Sequence, residues 1–579
     1  MIFRYFNRKI VALSVACILL TALSIYMSAQ IPVLLEELTN HFLREDPDAA
    51  LSDAMEMSLY TVNALVASLV AGFIGSKIIA DMGADLRRKV FESTQRMDMQ
   101  DVNRFSIPTL TKIITTDVET VSGFYVALLT SGLMLPLTII ILAPIMASKS
   151  VAMIAIIAMI MVICFVLVFV TFRHIAPSVE KSGEGDIEIN NKIVEYMEGA
   201  TIIRAYGGEE KHYSDFKDIS DDLSVTNKKV KKNMSYMGPM MDSMVIVLPL
   251  TIYAIAYFIM PGMDSDEQIS TLASIISFTM YALMILSAVT QSTYVMASVY
   301  PAFASSRESV ESVIDFEPAL KEGDKENPDR SGTVELHDVS FHYPGQAHPL
   351  LKNINITIKQ GEKIAIMGPS ASGKSSLLDL IMRFYDATSG TVLVDGMDVK
   401  DYRLMDLRGR ISYYPQEPVI FSASAFDNIR FGQVGQNITD EEVLKIMEEC
   451  EVTDFIDDLP NGRNTVLKEN GKGLSGGQRQ RIGLARTMCT PGEIYILDTP
   501  FSRIDAKMEG RIMAALRKRM GDRTIIMVTH KITAARACDR IYILENGEIT
   551  GCGTHDELMK TCEYYSQMVK LQKDWEALS

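Results

Sequence analysis

The sequence is short of charge and has no cluster of cysteines. Only 22% of its 579 residues are charged, and 56 basic residues face 72 acidic ones, which gives a net charge of −16. Nucleic-acid binding depends largely on Lys and Arg that neutralise phosphates, so this balance argues against a nucleic-acid partner. The seven cysteines are scattered without metal-ligand spacing, and none falls in a predicted external loop. We therefore expect reduced thiols and no disulfide framework.

Long apolar stretches dominate the first half of the chain. Hydrophobic residues make up 48% of the whole, and the mean hydropathy of +0.14 fits the average of a membrane half and a soluble half. A helix needs about 20 apolar residues to cross a bilayer. The stretches that meet this length predict spans near 10–35, 57–80, 121–148, 150–172, 238–263 and 268–300. Hiding six such helices inside a soluble protein is implausible.

Basic residues mark one side of these spans. Lys and Arg are enriched in cytoplasmic loops. The segment before the first span and the link between the second and third spans are basic, whereas the loop after the first span is acidic. We therefore predict that both termini are cytoplasmic, in a multi-pass protein of a prokaryotic inner membrane.

The pattern changes after the last span. A polar, proline-containing segment comes first, and short apolar strand-like runs then alternate with helical ones, as in α/β domains. The predicted organisation is an all-α six-helix transmembrane domain over 1–316, a linker over 317–331 and an α/β domain over 332–579. The long cytoplasmic links of the first half, about 77–120 and 173–242, have heptad-like apolar spacing and are expected to form helical arms that reach this second domain.

The first functional motif of the α/β half is a phosphate-binding loop. Residues 368–375 fit G-x-x-x-x-G-K-[ST], follow a predicted strand and begin a predicted helix. In this loop backbone N–H groups turn towards phosphates, Lys374 would reach the β- and γ-phosphates, and the Ser375 hydroxyl would bind Mg²⁺. We predict ATP and Mg²⁺ as cofactors, bound in this segment by Gly368, Ser370, Ala371, Ser372, Gly373, Lys374, Ser375 and Ser376.

A second motif identifies the family. It reads Leu474, Ser475, Gly476, Gly477, Gln478, and with it the chain resembles the ATP-binding cassette (ABC) transporters, specifically half-transporters with the exporter-type membrane fold. The resemblance covers nearly the whole chain and implies that its second half is an ABC-type P-loop cassette. The remaining family motifs follow in the family's order, at Tyr343, Gln416, Asp498, Asp505 and His530.

The resemblance implies a role for each motif residue near the chain's own nucleotide. Tyr343 would stack on adenine. Gln416 would touch Mg²⁺ and sense the γ-phosphate, and Asp498 would hold Mg²⁺ through water. His530 would contact the γ-phosphate, so His530 and Gln416 form the predicted catalytic set.

The resemblance also implies a second subunit. Asp505 would link two ATP sites, and the segment 474–478 would close over ATP bound to the partner, so that one chain alone would not complete a site. The arms would dock through contact helices near Gln100–Ile107 and Glu209–Phe216.

One position departs from the family. After Asp498 the family usually has a glutamate, the general base for the attacking water, but this chain has Thr499. We predict a site that binds ATP and hydrolyses it poorly, in a heterodimer whose partner supplies the glutamate. A homodimer with two slow sites is the alternative.

The sequence gives little information about the substrate. Met237, Met241 and Met244 lie on one face of the fifth predicted span beside Asp242, and they are candidate substrate contacts, although such a stripe more often serves helix packing. Export of a small molecule or peptide is favoured. Import of a metal–siderophore complex is the alternative, and a nucleotide-gated channel or regulatory subunit is a more distant one.

Overall fold

The computed structural model describes residues 7–149, 155, 166, 185, 188–259, 264–432 and 438–578. The chain divides into two compact units. The helical unit comprises Met1–Arg96 and Phe105–Glu317, and the α/β unit comprises Met97–Arg104 and Pro318–Ser579. Most of the predicted linker therefore belongs to the α/β unit.

Long helices build the helical unit. In chain order the helices before residue 317 whose bounds lie within the described residues are α1 (Arg8–Leu43), α2 (Pro47–Gln95), α3 (Met99–Phe105), α4 (Ile107–Lys112), α5 (Val118–Ala127), α6 (Met134–Lys149), α7 (Ala200–Ala205), α8 (Glu209–Ile259), α9 (Ser265–Tyr294) and α10 (Tyr300–Ile314). Wider π-helical turns at Ile113–Asp117, Leu128–Gly132 and Val295–Val299 join α4 to α5, α5 to α6 and α9 to α10.

Four helices in the described part of the chain are long and apolar enough to cross a membrane. They are Arg8–Leu43, Pro47–Gln95, Ile107–Lys149 and Asp266–Tyr294, and they coincide with the first, second, third and sixth predicted spans. The fifth predicted span contains the shorter apolar stretch Ser243–Phe258. The fourth, 150–172, lies outside the described residues except for positions 155 and 166.

The first two helices pack through small residues. Ala64, Ala67 and Ala71 recur on one buried face of α2. Small side chains let helix backbones approach closely in a membrane. The approach allows Ser24 Oγ of α1 to donate a hydrogen bond to the Ala64 carbonyl at 2.9 Å.

The two predicted contact segments differ in form. Near the first, α3 ends at Phe105, and the Asp101 carboxylate within it accepts the Ala319 N–H of the same α/β unit at 3.4 Å. The second, Glu209–Phe216, is the beginning of the 51-residue helix α8 rather than a separate helix. The chain turns earlier, after α7, where Gly207 adopts a φ of +63° that is accessible mainly to glycine.

The α/β unit contains two sheets and their helices. Its strands are β1 (Val334–Phe341), β2 (Leu351–Ile358), β3 (Lys363–Met367), β4 (Ser389–Val394), β5 (Met397–Asp398), β6 (Ile411–Tyr414), β7 (Ile494–Asp498), β8 (Thr524–Val528), β9 (Arg540–Glu545) and β10 (Glu548–Gly553). Its helices are α11 (Lys374–Ile381), α12 (Leu404–Arg408), α13 (Ala425–Arg430), α14 (Asp440–Glu449), α15 (Thr453–Ile456), α16 (Gly476–Cys489), α17 (Ala506–Met520), α18 (Ile532–Arg536), α19 (His555–Thr561) and α20 (Glu563–Leu578), with 3₁₀ turns at Gly462–Asn464 and Glu469–Gly471.

The larger sheet positions the candidate site. Its strand order is β10-β9-β3-β8-β7-β6, and β3, β8, β7 and β6 run parallel. Every residue of β7 and β8 is buried, as expected for strands covered on both faces. The carboxyl ends of parallel strands meet at one edge, which is where open α/β sheets bind ligands. The smaller antiparallel sheet has the order β2-β1-β4-β5.

Candidate nucleotide site

The loop between β3 and α11 has the backbone form of a phosphate cradle. Gly373 precedes α11 with a φ of +101°, and a Cβ there would lie 2.6 Å from the Leu351 side chain. At Gly368 a Cβ would lie 2.0 Å from the Leu544 carbonyl oxygen. The two glycines of the motif are therefore required by close packing of the loop. Ala371 lies between them with a φ of +63°.

Lys374 is buried at the start of α11. Its side chain bends back over the loop, and its Nζ donates to the carbonyls of Gly368 at 3.0 Å and Pro369 at 2.6 Å. Burial lowers the pKa of the Lys374 ammonium, and the nearby Asp498 carboxylate opposes that shift. The ammonium therefore lies against the loop, 3.5 Å from Ser372 Oγ. Ser370 is exposed in the loop, and Ser376 lies in the first turn of α11.

Ser375 and Asp498 meet between neighbouring elements. Asp498 ends β7 with 3% of its surface exposed, and its Oδ2 accepts a hydrogen bond from Ser375 Oγ at 2.7 Å. Burial raises the pKa of Asp498, while the bond from Ser375 and the charges of Lys374 and His530 lower it. A hydroxyl and a carboxylate from separate motifs are thus brought into direct contact.

His530 faces the same group of charges from the end of β8. Burial lowers the pKa of its imidazole below the ordinary 6.5, Lys374 lowers it further, and Asp498 opposes both. The ring is therefore neutral near pH 7 and available as a hydrogen-bond donor through one nitrogen.

Thr499 follows Asp498 in a strained conformation. Its φ is +48°, which is uncommon for a β-branched residue. Its N–H donates to the Val528 carbonyl at 2.9 Å, and its hydroxyl is buried with no hydrogen-bond partner in the described part of the chain. The position next to Asp498 therefore presents a short hydroxyl in place of a carboxylate.

Tyr343 and Gln416 lie at the margins of the site. The Tyr343 hydroxyl is 2.8 Å from Ser376 Oγ of α11, and the ring lies edge-on to Tyr385 with centroids 5.1 Å apart. Burial raises the pKa of the Tyr343 hydroxyl. Gln416 is exposed two residues beyond the end of β6, the strand that pairs with β7.

The segment 474–478 begins α16 and packs against the loop that follows β7. Ser475 caps the helix in a reciprocal capping box with Gln478. A Cβ on Gly477 would lie 2.8 Å from the Arg503 carbonyl oxygen, and one on Gly476 would meet the Arg503 side chain at 2.6 Å. Asp505, at the end of that loop, caps α17 by accepting the Met508 N–H at 2.9 Å. Within the described residues no hydrogen bond joins segment 474–478 to the phosphate loop.

Comparison with known proteins identifies this arrangement. The family model "ABC transporter transmembrane region" matches residues 14–289, and the model "ABC transporter" matches residues 351–502. An uncharacterised ABC transporter ATP-binding protein of Mycobacterium bovis is 30% identical over 522 residues, which cover 88% of this chain and 87% of the relative. The chain belongs to the ABC transporter family.

Other comparisons agree with this assignment. An ATP-dependent lipid A-core flippase of Pseudoalteromonas translucida is 29% identical over 93% of this chain and 92% of its own. A solved structure of a bacterial Atm1-family ABC exporter with ATP bound superposes with a TM-score of 0.83 at 19% identity, over 98% of this chain and 99% of that one. The ABC transporter fold predicted from the motifs, an exporter-type helical domain followed by a nucleotide-binding domain, is confirmed.

The ABC cassette offers a donor set that fits magnesium. Mg²⁺ prefers oxygen ligands and is usually held by one or two protein groups together with phosphate oxygens and water. Ser375 Oγ and Asp498 Oδ2 are 2.7 Å apart, and Gln416 follows the strand that pairs with β7. These oxygens match the metal's chemistry.

Some residues that order the ABC site are missed by motif reasoning. Gln480 is 2% exposed, donates to Ser502 Oγ at 2.6 Å and accepts the Arg503 N–H at 2.9 Å, so it fixes the loop before Asp505. It lies two residues beyond the family motif, and that proximity is its only sequence signal. Gln572 contacts the His530 loop from the far end of the chain and carries no sequence signal at all.

The predicted substrate residues are only partly described. Met244 is half-buried on α8. The side chains of Met237, Met241 and Asp242 lie outside the described residues, so these contacts stay predictions.

Proposed function

We propose that this chain is the degenerate-site subunit of a heterodimeric ABC exporter. ATP bound between the two cassettes drives alternating access of the membrane domain. The chain's own phosphate loop binds ATP and hydrolyses it slowly. Its segment 474–478 completes the partner's site, where most hydrolysis takes place.

The observation that carries this proposal is the environment of Thr499. The residue lies directly after Asp498, at the family's general-base position, with its hydroxyl buried and unpartnered in the described residues. A hydroxyl does not accept a proton near neutral pH. The loss of a general base slows a reaction by roughly 10²–10⁴-fold. Mg²⁺ and ATP binding depend on other groups, namely Lys374, Ser375, Asp498 and Gln416.

The rest of the machinery supports ATP binding without turnover. The phosphate loop keeps its glycine packing, and His530 keeps a neutral imidazole near Lys374 and Asp498. Segment 474–478 keeps its glycines and its capping box. A chain with an intact partner-facing motif and a defective base is suited to pair with a subunit that has the glutamate.

Export is the direction we propose, with both termini and the 332–579 cassette in the bacterial cytoplasm. The exporter-type fold supports it, and a relative of similar length is an ATP-dependent lipid A-core flippase. Initial-rate accumulation of candidate substrates in inverted vesicles tests the direction. ATP-dependent accumulation only in right-side-out vesicles loaded with ATP would indicate import.

The deciding experiment measures Mg²⁺-dependent ATP turnover of the purified chain in lipid nanodiscs. In nanodiscs that hold two copies of the chain, each copy supplies segment 474–478 to the other. There we expect wild type to be nearly silent and Thr499→Glu to raise turnover by at least about 10²-fold, because a base is restored. Thr499→Gln is the matched control, since it has the size of glutamate without a proton-accepting group, and it should stay silent.

Two results would contradict the proposal. Brisk turnover by the wild-type chain would show that a homodimer suffices and that another group activates water. Equal activation by Thr499→Gln and Thr499→Glu would show that side-chain size, and not basicity, limits the rate.

A further inference from the structure

His530 lies on a loop whose backbone is hydrogen-bonded to one glutamine of the last helix. Gln572 Nε2 donates a hydrogen bond to the His530 carbonyl, and Gln572 Oε1 accepts the Ile532 N–H at 2.9 Å. One planar amide therefore bonds backbone groups on both sides of Lys531. Rotation of the loop at His530 would break at least one of these bonds.

The helix that carries this amide is fixed to the central sheet. Tyr565, Val569 and Gln572 lie at i, i+4 and i+7 on one face of α20, and the first two are 0% and 1% exposed. Tyr565 and Val569 share a core cluster with Ala365 and Met367 of β3. The phosphate loop follows β3, so the same strand supports both the Gln572 amide and the phosphate loop.

The loop is also fixed at its beginning. The Thr529 N–H donates to the Ile366 carbonyl of β3 at 3.2 Å, and Thr529 Oγ1 accepts the Lys531 N–H at 3.1 Å. Thr529 thus fixes the approach to His530, and Gln572 fixes the exit. The backbone of the histidine is held between two anchors on one sheet.

We propose that Gln572 is a positioning residue that holds His530 in reach of the γ-phosphate of ATP bound to this chain. The inference rests on the proposed function, because it takes from it an ATP site on this chain's phosphate loop. A residue that acts through His530 affects only nucleotides that have a γ-phosphate. ADP, which lacks that group, should bind equally well with or without the amide.

The surroundings of Gln572 make it open to substitution. The side chain borders a cavity of about 330 Å³ that is also lined by Ile532, Thr533, Arg536 and His555. The cavity is partly open to solvent and its lining includes polar groups of Thr533, Arg536 and His555, so it admits water. Water can therefore satisfy the freed Ile532 N–H and His530 carbonyl, so that loss of the amide releases the loop without leaving buried groups unpaired.

The test uses the full chain in nanodiscs with Mg²⁺ and displacement of a fluorescent nucleotide by ADP or by AMP-PNP, which has a γ-phosphoryl group and is not hydrolysed. Gln572→Met keeps the length of the side chain and removes both bonds. Gln572→Glu keeps the acceptor for the Ile532 N–H and loses the donor. Gln567→Met is the matched control, since Gln567 is exposed on the same helix and donates to Glu563.

We expect Gln572→Met and Gln572→Glu to weaken AMP-PNP binding about tenfold, the effect of one lost hydrogen bond to a charged group, with ADP binding unchanged. His530→Ala should give the same pattern, and adding Gln572→Met to it should cause no further loss. Gln567→Met should change neither affinity.

Three results would overturn the inference. Equal weakening of AMP-PNP and ADP would mean that the amide supports only the fold. If Gln572→Met still weakens AMP-PNP binding in the His530→Ala background, Gln572 acts elsewhere than through His530. If His530→Ala leaves the affinity for AMP-PNP relative to ADP unchanged, His530 does not contact the γ-phosphate. Brisk ATP turnover by wild type would refute the proposed function alone, since neither test nucleotide is hydrolysed.

Discussion

Arg410 offers the sharpest test of how the segment before β1 is held. Its guanidinium is fully buried and donates to Asp395 at 2.8 Å and to Asp406 at 2.9 Å. It also donates to the carbonyls of Asn327 and Asp329, in the predicted linker. Replacing it with methionine removes every one of these bonds and leaves Asp395 buried without its counter-charge.

The size of the effect follows from that burial. Breaking a buried ion pair costs about 3–5 kcal/mol, because the remaining charge is uncompensated. Asp395 also accepts the N–H groups of Gly332 and Thr333 at 2.6 and 3.0 Å, which stay in place and favour the lower end of that range. For a domain of this size a loss of about 3 kcal/mol corresponds to a fall in Tm of about 6–12 °C.

The assay is calorimetric unfolding of the full chain in nanodiscs. Arg430→Met is the matched control, because Arg430 pairs with Asp440 at the surface, with side chains 40% and 69% exposed. Exposed pairs contribute only about 0–1 kcal/mol. A fall in Tm for Arg410→Met no larger than for Arg430→Met would refute the reasoning that the buried network holds this segment.

Two further predictions concern the cassette. Burial, together with the charge of Asp498, raises the pKa of Asp379 from 3.8 to about 6; the folded state then holds the proton more tightly, so wild type loses stability as pH rises through 6. Asp379→Asn should match wild type in thermal unfolding near about pH 4 and exceed it near about pH 7, and a constant difference would contradict this. Gly477→Ala would place a Cβ 2.8 Å from the Arg503 carbonyl, so with a glutamate-bearing partner it should lower ATP turnover while AMP-PNP binding to this chain stays unchanged. Loss of both would point to misfolding.

The centre of the site was predictable because its residues belong to strands. Lys374, Asp498 and His530 follow or end apolar runs that read as buried strands, and parallel strands bring their carboxyl ends together. The local sequence pattern therefore predicts that charged residues far apart in the chain lie close together in the fold. The contact between Ser375 and Asp498 is a direct consequence.

The supporting residues and the helix bounds were not predictable in the same way. Gln572 reaches His530 only because α20 folds back on β3, a tertiary contact with no local pattern. The second contact segment, Glu209–Phe216, is helical but is only the beginning of α8, because residues 209–237 contain neither proline nor glycine that could end the helix there. Where helix-forming residues continue beyond a membrane span, composition predicts the position of the span but not the residue at which its helix begins or ends.

The π-helical turns have an evolutionary consequence. Each turn, such as Ile113–Asp117 or Leu128–Gly132, spaces its hydrogen bonds one residue wider than the α-helix around it. Deleting one residue from an ordinary helix rotates everything beyond it by about 100°. Deleting one inside such a turn would instead restore regular pitch and leave both flanking faces in register. Homologues of this chain should therefore tolerate the loss of a single residue at these places.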